Sequence, residues 1–357
     1  MRGETLIQEP MLVAFSLTKR IPADHPLRQI KKLADEILDD MSPLFTRMYA
    51  KTGRPGIAPE QLLKATLLMA LYSIRSERMF CEQLAYNLLF QWFLDRDIEN
   101  PSFNHSVFSH NQARLQKHDV AKRFFERVVG LAETKELLSA EHFTVDGTLI
   151  EAWASFKSFR PKAEQDEPPS GSLGSGSVDF HGDKRTNETH ESKTDPDSRL
   201  LRKSKGREAK LSYGLHALTE NRHGMLVDLH LGRAVGETEP EVALKLLKRR
   251  AAAKSVGGDK GFDTEVFVGG CRDLEITPHV AAKMHSNLDG RTTRHATYTV
   301  SQKKRKLIEQ VFGWLKAPAR FRRTRYIGLK LNRMYAYLNG AAYNLVRMAN
   351  LLRQEPC

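Results

Sequence analysis

Three acids occupy places where a carboxylate can do chemistry. Asp146 follows His142-Phe143-Thr144-Val145 and precedes Gly147-Thr148-Leu149-Ile150, so a charge sits inside a stretch that reads as a buried strand. That is a costly position for a carboxylate unless something cationic meets it. Asp259 follows Val256-Gly257-Gly258, whose two glycines let the backbone turn at a strand end. Glu309 is the only acid between Ser301 and Arg333, a stretch with eleven Lys or Arg residues. Brought together, three such groups would repel one another and call for divalent cations, and hard oxygen donors suit Mg²⁺ or Mn²⁺. Two ions about 3.5–4 Å apart can activate a water or a 3′-hydroxyl and stabilise the leaving oxygen of an in-line phosphoryl transfer. Each acid alone also reads plainly as an edge-strand surface residue, a turn residue or a solvated helix charge. Their joint placement favours chemistry.

The basic stretch SQKKRKLIEQVFGWLK predicts one helix. At about 100° per residue, Gln302, Arg305, Glu309, Gly313 and Lys316 share a face, with Ile308, Phe312 and Leu315 on the apolar side. A single acid between two cations, with room left by Gly313, suits a carboxylate that faces metal and phosphate. Lys260, beside the second acid, is placed to meet a phosphate or to serve as a surface lysine. Trp314 reads as core packing before base stacking.

The elements that would position these residues run from Ser139 onward. HFTVDGTLIEAW, AKLSYGLHALTEN and GMLVDLHLGRA read as three strands. EPEVALKLLKRRAAA is an amphipathic helix with Pro240 in its first turn. SVGGDKGFD reads as a strand end, DTEVFVGGCRDL as a helix capped by Asp263, and EITPHVAA as a further strand before the basic helix. Three strands followed by alternating helices and strands give an α/β chain with an RNase H-like mixed-sheet catalytic core over residues 139–352. Residues 166–198 contain only Leu173, Val178 and Phe180 as clearly apolar residues, and this composition predicts a flexible insert.

Residues 1–138 read as an all-helical domain. Pro59-Glu60 opens one helix, and Ser76 caps a second that runs through Leu84, Leu88, Phe90 and Trp92. PSFNHSVFSHNQARL forms a third element, and the trio resembles a helix-turn-helix unit or an ordinary small bundle. The net charge of +13 suggests a polyanionic partner. Cys81, Cys271 and Cys357 are too few and too scattered for a disulfide framework, which fits a reducing compartment. No apolar run is long enough to span a membrane.

The longer motifs are more specific. GRPGIAPEQLLKATLL, SERMFCEQLAYNLLFQWFL, FNHSVFSHNQARL, FTVDGTLIEAWAS, KRTNETHESKTDPDSRLLRKSKGREAKLSYGLHAL, GGDKGFDT and RKLIEQVFGWLK resemble the DDE transposases of the insertion-sequence-five family, within the insertion-sequence-four-like group. The resemblance runs from Met41 to Leu352. It implies Asp146, Asp259 and Glu309 as catalytic acids and metal ligands, two Mg²⁺ or Mn²⁺ ions, and cleavage of DNA at element ends with strand transfer into a target. Arg305, Glu309 and Lys316 match the last three members of the family's Tyr-Arg-Glu-Lys signature. Gln302 takes the Tyr place, and Tyr298 is out of register. The resemblance further implies terminal inverted repeats and target DNA as partners, and the expected DNA contacts are Arg305, Lys316, Lys260 and Arg114. It implies a homodimer on DNA and a cytoplasmic, nucleoid-associated location away from membranes. Two alternatives stand beside it: a metal nuclease of the same fold that cleaves without joining, and a helix-turn-helix DNA-binding regulator.

Overall fold

The structure, a computed structural model, describes residues 16–50, 52, 56–162, 186–202, 208–250 and 253–354. In its first half the described residues form α1 (Leu17–Arg20), α2 (Pro26–Met48), α3 (Pro59–Leu71), α4 (Glu77–Tyr86), α5 (Leu88–Phe93), α6 (Ser106–Lys117) and α7 (Val120–Thr134). Helix α3 begins at Pro59 and buries Leu62, Leu63, Leu67 and Ala70, as its periodicity predicts. Ser76 caps α4 by accepting from the Met79 amide at 3.2 Å. The helix expected to continue through Trp92 instead stops at Asn87, whose side chain accepts from the Leu89 and Phe90 amides and starts α5. Cys81 and Cys271 are free and buried. Among the described residues no helix is long and apolar enough to cross a membrane.

The second half is built on β1 (His142–Glu151), β2 (Phe159–Pro161), β3 (His190–Ser192), β4 (Arg199–Leu201), β5 (Lys210–Glu220), β6 (Leu226–Arg233), β7 (Ser255–Gly258) and β8 (Thr277–Val280). The helices are α8 (Glu239–Leu247), α9 (Glu265–Asp273), α10 (Gly290–Arg294), α11 (Ala296–Lys304), α12 (Leu307–Lys316) and α13 (Leu329–Gln354). Strand β1 pairs antiparallel with β5 and parallel with β7, β5 pairs antiparallel with β6, and β7 pairs parallel with β8. The order β6-β5-β1-β7-β8 is that of an RNase H-like sheet, preceded here by a helical region. Successive side chains alternate between faces. Val145 and Leu218 pack on the α8–α9 side, whereas Leu215 and Ala217 join the core shared with α12 and α13.

Three further expectations are corrected. Part of the predicted flexible insert is ordered: β3 pairs with β2, and Asp195 is fully buried with the Tyr213 hydroxyl donating to it at 2.7 Å. The Leu329 amide donates to Asp197 at 3.0 Å, so residues 186–198 gain from distant partners what their composition lacks. Residues 163–185, with most of the insert, lie outside the described residues. Second, Thr264 caps α9, accepting from the Phe267 amide at 3.2 Å. Asp263 is buried and accepts from the Lys283 and Asn287 amides instead. Third, the basic stretch forms α11 and α12 with a turn at Arg305-Lys306, where bonding tightens to the i−3 carbonyl, as in Glu309 to Lys306 at 3.1 Å.

Helix α13, which the periodicity does not announce, runs beside β6 and packs on α2, α3, α6 and α7. The Asn344 side chain accepts from the Leu226 amide at 3.0 Å and donates to the Leu226 carbonyl at 2.7 Å, occupying edge-strand backbone groups. A Cβ at Gly340 would lie 2.9 Å from Leu226 and Leu229 side-chain atoms, so a glycine is needed for this close approach. The apolar core is therefore continuous from Ile21 to Ala349.

Candidate active site

Asp146 and Asp259 meet because β1 and β7 are neighbours. Thr144 is level with Gly257, and continuing the parallel register two residues brings Asp146 level with Asp259. The Gly147 amide donates to Asp146 at 2.7 Å, and the Gly261 amide donates to Asp259 at 2.7 Å, starting a short 3-10 turn over Lys260–Phe262. Burial pushes the Asp146 carboxyl up to about 6 against the pull of the Gly147 amide, and the charges of Asp259 and Glu239 add to the rise while Arg305 opposes it. Two predicted acids are thus brought together, with Arg305 beside them.

Glu309 is exposed in the first turn of α12 and does not close a three-acid cage with the aspartates. Among the described residues no three His, Cys, Asp or Glu side chains lie together as an ion-holding set. Ile308, Phe312 and Leu315 bury the apolar side of α12 as predicted, and half-buried Trp314 meets the Tyr343 ring edge-on at 5.7 Å. Lys316 donates to the Thr148 hydroxyl, and Thr148 lies on the same face of β1 as Asp146, so α12 lies over that face. Gln302 leaves the Glu309 stripe because α11 ends before it. Its amide donates to the His279 carbonyl, and the Tyr298 hydroxyl donates to the next carbonyl, Val280, at 2.9 Å. Both side chains fasten α11 to the end of β8. Tyr298, one turn earlier than the signature position, does a matching job.

Lys260 is exposed beside Asp259. Arg114 stands on α6, donating to Asn111 at 2.8 Å, with its guanidinium 4.4 Å from the Tyr49 ring centroid.

The sequence reading missed Glu239. It occupies the first position of α8, where an acid reads as a helix-dipole partner. Desolvation and the charge of Asp259 raise its carboxyl above the ordinary range. His216 was missed as well. It lies opposite Gly147 across β1 and β5, and burial, then His230, lowers its imidazole to about 4, leaving it neutral. Also missed was an open cleft of about 530 Å³ that continues from Lys316 past Lys210 and Arg322. Two residues beyond Glu151, exposed Trp153 carries the Arg323 guanidinium 5.3 Å from its ring centroid. The signal available for this cleft was the run of cations after Lys316.

The sheet order defines the class, an RNase H-like enzyme fold. Residues 15–114 match the family described as a transposase domain (DUF772), and residues 176–345 match the family described as a transposase DDE domain. The chain belongs to the DDE transposases, metal-dependent enzymes that cut and join DNA strands. No curated protein gives a significant match. Among solved structures, the piggyBac transposase synaptic complex with hairpin DNA aligns at 9% identity and TM-score 0.41, over 93% of this chain and 76% of that one. A pre-cleavage Mos1 transpososome aligns at 11% identity and TM-score 0.20, over 84% of this chain and 82% of that one.

Proposed function

We propose that this transposase works where β7 ends beside the middle of β1, with Asp146, Asp259 and Glu309 as its three acids. The supporting observation is the Asp146–Asp259 pair, whose mutual repulsion helps hold Asp146 near 6. An under-compensated, all-oxygen donor pair of this kind fits a hard divalent cation, Mg²⁺ or Mn²⁺, and two ions suit the reaction. When bound, such ions supply Lewis acidity to the phosphate and make a water or 3′-hydroxyl a better nucleophile. The chain's own side chains do the rest. Asp146 and Asp259, with Glu309 from α12, would hold the ions that meet the reacting phosphate. Arg305 and Lys316, with Lys260, neutralise phosphates on either side of the cut.

The finer reading places the chain in the insertion-sequence-five family, on the motifs quoted above and the Arg305, Glu309, Lys316 spacing. Its partners are the element's terminal inverted repeats and a target duplex, engaged by a homodimer at the nucleoid in the cytoplasm. The helices of residues 1–138, Arg114 among them, bind the element ends, and residues 139–352 perform the chemistry.

Cleavage and joining of an element-end duplex test this reading. Asp146→Asn, Asp259→Asn and Glu309→Gln each remove a ligand charge without removing packing. Each is expected to lose about a thousandfold or more in cleavage rate, several kcal/mol of barrier, while gel-shift affinity stays within a few-fold. Cleavage within a few-fold of wild type in any one variant removes that residue from the site. Cleaved ends that are never joined to target would favour a plain nuclease.

A further inference from the structure

Strand β6, separated from β1 by β5, borders a group of cations that the reaction leaves unused. Beside it opens a second cleft of about 510 Å³. Lys122 lines this cleft from α7, Arg249 from just beyond α8, and Lys330 and Arg333 from the first turns of α13. Asp119 is the one acid among the described residues lining it. Lys330 and Arg249 are exposed. Arg333 Nε donates to the Leu231 carbonyl at 3.0 Å, which fixes the guanidinium against the edge strand. Arg249 meets Asp228 at 3.1 Å, and Lys122 meets exposed Glu126 at 3.6 Å, a surface pair that contributes little. His230 of β6 lines the cleft as well. Burial first, then the charge of Arg333, lowers its imidazole below the ordinary value; Arg249 and Lys245 add to the fall and Glu237 opposes it.

We propose that this cleft holds the sugar-phosphate backbone of duplex DNA without reading its sequence. Cations from three parts of the chain line an open cleft, which suits a row of phosphates better than one small anion. Lys330 and Arg333, three residues apart on one helix face, stand about 4.5 Å apart along its axis. A DNA strand carries one charge per roughly 3.4 Å. A cleft lined by one sign of charge also focuses its field on a polyanion. The position gives the contact a use. The lining comes from α6 and α7 of the helical half and from β6 and α13 of the catalytic half, so a duplex lying here is gripped by both halves at once. Arg305, Lys316, Lys260 and Arg114 are not among the lining residues, so this grip is separate from the contacts assigned above. Phosphate contacts of this kind fix the position of a duplex and carry no sequence information. The proposal rests on the reading that the protein engages duplex DNA, and adds a holding surface away from the cut.

Fluorescence anisotropy of the full-length protein with an element-end duplex and with an unrelated duplex of equal length, over a range of salt, tests this. Lys330→Gln is expected to weaken both about five- to tenfold at roughly 0.1 M salt and to lower the salt slope by about one, with unchanged thermal unfolding. Lys330→Glu sets a like charge against the phosphates and weakens both further. Lys122→Gln repeats the Lys330→Gln result from the α7 wall. Lys254→Gln combined with Arg272→Gln removes two charges at exposed positions outside the cleft, and leaves both affinities within about twofold of wild type. Wild-type affinity and slope in both Lys330 variants overturn the proposal and leave the active-site reading standing. A loss confined to the element-end duplex, or an equal loss in the Lys254 and Arg272 double variant, overturns it as well. Failure of the wild-type protein to bind either duplex overturns the proposal together with the reading it rests on.

Discussion

Two groups of carboxylates in this molecule are organised on opposite principles. In the helical half, Asp35 and Asp95 close around Lys64, which is 5% exposed, and Lys31 bridges the same two acids at 2.8 and 2.7 Å. Burial would raise Asp95, but Lys31 and Lys64 outweigh it and hold the carboxyl below the ordinary range. In the middle of β1, burial and like charges dominate, and Asp146 goes the other way, to about 6. The first cluster satisfies itself and holds α2, α3 and the turn after α5 together. The second leaves a charge for something outside the chain to satisfy. At Asp95 the cations outweigh burial, whereas at Asp146 burial and neighbouring acids outweigh the Gly147 amide and Arg305.

That contrast can be broken by experiment. The largest effect expected is the loss of cleavage in Asp146→Asn, with little loss of stability. The opposite pattern is expected at Lys64. Lys64→Met leaves Asp35 and Asp95 facing each other without their central cation, and costs about 1–3 kcal/mol of stability. Thermal unfolding reads that loss, and cleavage per folded molecule stays near wild type. A catalytic defect in Lys64→Met exceeding its unfolded fraction would erase the distinction.

A smaller effect concerns pH. The folded-state value of Asp146 lies above its ordinary value of 3.8, so the folded state holds that proton more tightly. This group's contribution to stability is full below about pH 4 and is lost as pH rises through about 6. For a partly exposed carboxyl this amounts to about 1–2 kcal/mol after solvent screening. Unfolding curves in chelator should show this decline in the wild type and not in Asp146→Asn, and an equal decline in both would remove Asp146 as its source. The smallest effect belongs to Arg114, already engaged by Asn111 and Tyr49. Arg114→Gln should weaken element-end binding only a few-fold and lower the salt slope by about one contact. A loss confined to non-specific DNA would detach it from end recognition.

The sequence carries the sheet well and the contacts between distant elements poorly. Strands β1, β5, β6 and β7 are legible because apolar runs end at glycines and turns. Asp146 and Asp259 stand out because their apolar and glycine settings do not suit a charge. Residues 186–198 read as unstructured because composition cannot show that Tyr213 and the start of α13 will meet Asp195 and Asp197. Helix α13 buries Asn332, Asn339 and Asn344 among its apolar residues, which blurs the stripe that would announce it. Glu239 is hidden by its ordinary setting, an acid in the first turn of a helix. The break at Arg305 follows from tightened backbone bonding and leaves no compositional mark.

Helix α13 also governs when this protein can exist as a folded object. It is the last described element to be synthesised, yet it covers α7 and β6 and packs on α2 and α3. Until its final turns have left the ribosome, the early helices and the edge strand lack the surface they pack on, however well each forms locally. A gene copy interrupted upstream of codon 329 would therefore yield neither a nuclease nor a free-standing helical half able to sit on element ends and block an intact enzyme. Damage of that kind should silence the product without creating an inhibitor.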